Sequence, residues 1–204
     1  MLADPLFEEG LMVMGTKPER ARKRRIAKMG HAEAMSDAPP DAVWQLVADV
    51  TRTGEWSHEC RRVRWLGSAT AATPGARFRG SNRSGWLRWR RVCEVLTVDP
   101  PRKLAWRTLS TPLYPDSTEW RIVIQPAGTG TRIAESYQVV RLPPVWLDRL
   151  MAVINPSHID RAAALEGDLR RLAALAAGGG ETPRPDSGQP VSRARGCGRL
   201  AGSF

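Results

Sequence analysis

The chain has 204 residues, 42% apolar and 25% charged, with eight tryptophans and a formal net charge of +10. That length suffices for one domain with a sizeable core, and no run approaches the roughly 18–20 apolar residues needed to span a bilayer. Asp4, Glu8 and Glu9 come early and the basic run follows the apolar residues, so the start does not fit a secretory signal and a cytoplasmic location is expected.

Residues 1–28 show no durable periodicity. The basic run KPERARKRRIAK, residues 17–28, is compatible with an arm for nucleic acid or an anionic membrane, or with translation starting later, at Met29 or Met35. Blocks of like charge are usually solvated, so 1–28 is expected to be a disordered basic leader. MGHAEAMS, residues 29–36, alternates weakly and is a candidate first strand.

Val43, Leu46, Val47 and Val50 then repeat at i, i+3, i+4, i+7 and predict an amphipathic helix opened by Pro40, with Asp41 in its first turn. Thr53-Gly54 is expected to end it, and residues 56–60 form a turn or a second small helix. Strand patterns follow at 61–66, 76–82, 86–98, 103–109, 118–125 and 131–140, punctuated by Ser84-Gly85, Asp99-Pro100-Pro101, Pro112 with Pro115, and AGTG at 127–130. Six consecutive strands on short turns imply an antiparallel meander.

Pro143-Pro144 opens a short helix through Ile154, and Asn155-Pro156 interrupts it. Ser157 with Asp160 three residues on resembles a capping box for a helix over 159–177 whose core face is Ile159, Ala162, Ala163, Leu169, Leu172 and Ala176, with Arg170 and Arg171 elsewhere. Residues 178–204, rich in Pro, Gly, Ser and Arg, are expected to be a disordered tail. One domain over 29–177 remains.

Strand parity assigns an inner face to Val63, Trp65, Ala76, Phe78, Gly80, Asn82, Leu87, Trp89, Arg91, Cys93, Val95, Leu104, Trp106, Thr108, Trp120, Ile122 and Ile124. On the last strand Ile133, Glu135, Tyr137 and Val139 form the bulkier face, so Glu135 and Tyr137 are expected inward. A buried carboxylate or guanidinium is costly unless paired, so inward Arg91 and Glu135 require partners or a wet cavity, unless a β-bulge turns them to solvent. The opposite face collects Arg62, Arg64, Arg77, Arg79, Arg88 and Arg90, either a solvated surface or a patch for phosphates or acidic headgroups.

Cys60, Cys93 and Cys197 have unrelated spacings, which argues against a disulfide scaffold or a zinc site. No phosphate-binding loop, nucleophile elbow or dinucleotide fingerprint occurs. No metal and no other cofactor is therefore expected.

APPDAVWQLVADV, GEWSHECRRVRWLG, PGARFRG and QPAGTGTRIAES, in that order and spacing, resemble the polyketide cyclase/dehydrase-like branch of the START-like (SRPBCC) superfamily over about residues 30–176. The resemblance implies an α+β helix-grip fold, a curved antiparallel sheet of six or seven strands around a long C-terminal helix. Trp44, Trp56, Gly75, Phe78, Gly128, Thr131 and Arg132 match as fold-makers, while the first strand is less apolar than the pattern. It also implies an internal apolar cavity for lipids, polyketides or similar molecules, without a universal catalytic residue.

The expected function is binding, or transport, of a hydrophobic or amphipathic small molecule. The expected cavity residues are Trp65, Phe78, Asn82, Trp89, Arg91, Trp106, Trp120, Glu135 and Tyr137. The alternative is a cyclase/dehydratase-type enzyme using polar groups of the same cavity, with His58, Arg91, Glu135, Tyr137 and His158 as candidates. A third reading, nucleic acid or membrane binding through the arginines, predicts steep salt dependence; nucleic acid is not the expected partner.

Overall fold

The computed structural model describes residues 26–155 and 158–178. Most of the expected leader, residues 1–25, with Ser157 and the tail from 179 onward, lies outside the described residues.

Seven strands form one antiparallel sheet in the order β1-β7-β6-β5-β4-β3-β2. They are β1 Met29–Ser36, β2 Cys60–Trp65, β3 Arg77–Ser84, β4 Leu87–Asp99, β5 Lys103–Thr108, β6 Ser117–Ala127 and β7 Gly130–Arg141. Strands β2 to β7 are the predicted meander, and the weakly alternating MGHAEAMS closes the far edge by pairing with β7. Side-chain contacts fix that edge. Glu33 on β1 accepts from Arg132 Nε on β7 at 2.8 Å, and buried Thr131 donates from Oγ1 to Ala38 O at 2.7 Å. Those two contacts explain why Thr131 and Arg132 behave as fold-makers. Gly128 turns the β6–β7 hairpin at φ 60°, a left-handed conformation that side chains disfavour.

Helix α1, Pro40–Ala48, buries Val43, Leu46 and Val47, the predicted stripe. The chain does not stop at Thr53-Gly54 as expected. It breaks at Asp49, whose carboxylate accepts from Thr51 N, runs through a 3₁₀ turn at Val50–Arg52, and continues as α2, Thr53–Trp56. Thr53 and Gly54 thus start a helix, and α2 delivers Trp56 and His58 to the concave side of the sheet.

Helix α3 spans Val145–Ile154 and α4 spans Ala162–Gly178. Helix α4 starts later than predicted, with the Asp160 carboxylate accepting from Ala162 N at 2.9 Å. Its first turn stands clear of the core. Ala162 and Ala163 are exposed, while Leu165, Asp168, Leu169, Leu172, Ala173 and Ala176 are buried, a stripe at i, i+3, i+4, i+7 and onward. The solid core lies between α1, the C-terminal half of α4 and the sheet residues Val95, Ile122, Ile124 and Ile133. Under the N-terminal half of α4 the sheet and helix part.

Candidate ligand-binding site

Where they part, a cavity of about 440 Å³ opens between the concave face of the sheet, α2, α3 and α4. Its wall follows strand parity. Eight of the nine expected cavity residues line it: Phe78, Asn82, Trp89, Arg91, Trp106, Trp120, Glu135 and Tyr137. Trp65 does not. It ends edge strand β2 and packs edge-on against Phe78, ring centroids 5.8 Å apart, so Phe78 stands between it and the cavity.

One apolar row crosses three strands. Register places Trp106, Trp120 and Tyr137 side by side on β5, β6 and β7. The two indoles stack with centroids 6.4 Å apart and planes 7° apart, and Trp120 meets the Tyr137 ring at 5.0 Å. The row continues to Gly30 on β1, whose partner is Tyr137. A Cβ at Gly30 would overlap the Tyr137 ring, so the tyrosine occupies space that only glycine leaves. The Arg161 guanidinium lies 5.7 Å from the Trp120 ring centroid and 5.6 Å from that of Tyr137. Its Nε is buried without a hydrogen-bond partner among the described residues.

The polar residues divide between two places. At the mouth, Arg91 donates from Nη1 to Asp116 Oδ2 at 2.9 Å and from Nη2 to Asp116 O at 3.0 Å, with Tyr114 packed on its guanidinium. The inward arginine is therefore paired, and it pins the loop 109–116. On the α4 side, His58 Nδ1 lies 2.7 Å from Asp168 Oδ2, His58 N donates to Asp168 Oδ1 at 2.9 Å, and Arg171 donates to the same oxygen. Beside them His158 Nε2 lies 2.6 Å from Glu59 Oε1, and Trp89 packs edge-on to His158.

Glu135 is fully enclosed, and its Oε2 has no hydrogen-bond partner among the described residues. Burial, reinforced by the nearby Asp168 charge, pushes its carboxyl up to about 8, so it is a neutral acid at pH 7. Burial also pushes at Glu59, but the His158 hydrogen bond and the charges of His158, Arg161 and His58 outweigh it and hold that carboxyl below its ordinary value. The Cys60 and Cys93 thiols, both in the wall, are raised by burial to about 11 and about 12 and are inert thiols rather than nucleophiles. No group of three or more potential metal ligands occurs among the described residues.

All five candidates for chemistry, His58, Arg91, Glu135, Tyr137 and His158, line this one cavity. The periodicity did not single out Asp168, Glu59, Arg161 or Asp116. Asp168 had a usable signal: it is the acid inside the stripe Leu165, Leu169, Leu172. The others lie in irregular chain, where no period marks a face.

An antiparallel sheet gripping a long C-terminal helix around a mostly apolar chamber defines a helix-grip ligand-binding domain. The sequence matches the family described as polyketide cyclase/dehydrase and lipid transport over residues 31–177, and the chain belongs to that family. No curated protein matches it. Among solved structures it is similar to TTHA0849 from Thermus thermophilus, at 17% identity and TM-score 0.57, covering 75% of this chain and 99% of that one. DR_A0006 from Deinococcus radiodurans matches at 15% identity and TM-score 0.53, covering 74% and 98%. DynU16, a protein in the dynemicin biosynthetic locus, matches at 17% identity and TM-score 0.51, covering 75% of this chain and 48% of that one. At these identities the likeness is one of fold.

Proposed function

We propose that the protein binds an amphipathic small molecule, a lipid or polyketide, in the chamber between sheet and α4. The observation that carries this reading is the aromatic row Trp106–Trp120–Tyr137 facing a cavity of about 440 Å³, within the range of small-molecule sites. The ligand's apolar body lies against the indoles. Its oxygen function, a hydroxyl or carbonyl, meets the unsatisfied Glu135 carboxyl, which as a neutral acid both donates and accepts.

A second reading, proton transfer on a bound polyketide-like substrate, is favoured by the grouping of a neutral acid, Glu135, with the His58–Asp168 pair in the wall of one cavity. Native mass spectrometry with denaturing extraction of co-purifying molecules tests the first reading. A stoichiometric apolar metabolite supports it. Trp89→Ala and Trp106→Ala should weaken uptake of a hydrophobic dye, and unchanged uptake refutes the cavity reading. Glu135→Gln separates the two readings, because binding survives it while turnover of added polyketide-like substrates does not.

A further inference from the structure

The rim of the cavity carries apolar side chains that ligand binding inside does not use. Helix α3 presents apolar side chains on both faces, with Arg149 exposed among those of the outer one. Leu147 and Met151 face the cavity, while Trp146, Leu150 and Val153 are 66%, 46% and 71% exposed at i, i+4, i+7 spacing. Exposed apolar patches rimmed by polar residues mark protein or membrane interaction sites. Across the mouth Trp86, 81% exposed, caps the β3–β4 hairpin, and Leu113, 74% exposed, projects from the loop that Arg91 pins. The two banks are tied together, since Ser84 Oγ donates to Asn155 Oδ1 at 3.1 Å at the C-terminal end of α3.

Charge at this rim has one sign. Arg83 and Arg88 sit directly opposite each other one ladder step from the hairpin tip, and neither pairs with a carboxylate among the described residues. Behind them Arg62, Arg64 and Arg90 are exposed and likewise without a carboxylate among the described residues. Farther from the hairpin, part of the outer face is paired, although Arg79 and Arg121 there also lack a carboxylate among the described residues. There Arg77 bonds Glu94 and Arg107 bonds Glu119, an alternating ladder across β3 to β6. Like charges directly opposite are destabilising, so the unpaired end calls for an anionic surface. The rim segments contribute only Asp148, which is buried, and Asp116, which Arg91 holds.

We propose that this rim docks on an anionic lipid bilayer, with Trp86 and the outer face of α3 at headgroup level and Arg83 and Arg88 on acidic headgroups. Exposed tryptophans beside basic residues suit the membrane interface. A second copy of the chain would set arginine against arginine. Nucleic acid would leave the α3 stripe without a partner. The cavity mouth would then open onto the membrane, and the docking itself does not depend on which ligand is carried.

The test is co-sedimentation of the full chain with phosphatidylcholine vesicles, with and without phosphatidylglycerol, at low and high salt. Binding should require the anionic lipid and weaken as salt rises. Arg83→Ser with Arg88→Ser should lower partitioning by roughly tenfold or more, and Trp86→Ser with Trp146→Ser should lower it comparably. No binding to anionic vesicles overturns the proposal. So does binding that persists in both double variants, which would assign it to the basic run at 17–28. Vesicle-independent self-association lost in the tryptophan variant would make a second copy the occupant and also overturn it.

Discussion

Asp168 holds His58 twice, with Oδ1 accepting the backbone N–H at 2.9 Å and Oδ2 lying 2.7 Å from ring Nδ1. A single α4 carboxylate thereby fixes both the turn after α2 and the orientation of the imidazole. Its exposure is 3%, so the charge depends on these partners and on Arg171. Asp168→Ala should destabilise the domain by about 1–3 kcal/mol, the loss of its hydrogen bonds to His58 and Arg171, which are themselves partly exposed, as read by urea unfolding. Asp168→Asn should cost less and should bring the Glu135 carboxyl down, because one cause of its raised value is removed.

Glu135 keeps its proton in the folded protein up to about pH 8, whereas the unfolded chain releases it near 4.5. The folded state therefore holds the extra proton across that window. This group's contribution makes stability fall as pH rises from about 4.5 to about 8. Glu135→Gln should flatten that slope and leave the variant a few kcal/mol more stable than the parent at about pH 8. Thermal midpoints at about pH 5 and about pH 8, either side of most of that window, decide it; parallel shifts at both would show that Glu135 does not titrate there.

Arg91 and Asp116 make a three-bond clamp on the loop 109–116, and Ser110 Oγ adds a bond to Asp116 O at 3.2 Å. The Arg91 side chain is only 13% exposed, so the pair is better shielded than a surface ion pair. A double-mutant cycle with Arg91→Ala and Asp116→Ala should give a coupling of about 1–3 kcal/mol. Each single variant should also speed hydrogen exchange in the loop. Additive effects would mean that the clamp does not hold it.

Gly30 leaves room for Tyr137, and a methyl group there meets the ring itself rather than a flexible chain end. Gly30→Ala should destabilise by about 1–3 kcal/mol through overpacking. In a Tyr137→Ala background, which is itself less stable, Gly30→Ala should cost much less in the same denaturation assay. An undiminished cost there would place the clash elsewhere.

The chain from 26 to 178 should keep the thermal midpoint of the full protein within a few degrees. The N-terminal cut belongs before 26 rather than after 28. Ala27 N donates to Ile159 O at 3.3 Å, and Lys28 O accepts from Val139 N at 2.7 Å. A large drop in midpoint on this truncation would show that a terminal segment packs on the domain.

Alternation at a period of two is local, and a half-buried sheet forces it, so the sequence by itself determined the strands, the β2–β7 meander and most of the inward faces. Trp106, Trp120, Glu135 and Tyr137 were legible as one concave wall for that reason, and the α1 stripe was legible from the period of 3.6. Even the weak strand 29–36 was visible, although its place at the far edge beside β7 was set by the Arg132–Glu33 and Thr131–Ala38 contacts. The partners of the polar residues were decided only by tertiary structure. His58 meets Asp168 across 110 positions and Glu59 meets His158 across 99, distances over which no periodicity carries information. The start of α4 was decided the same way. Whether Arg91 was paired, and whether Glu135 was not, depended on a loop and a helix face brought together by folding, because a buried charge is defined by what surrounds it.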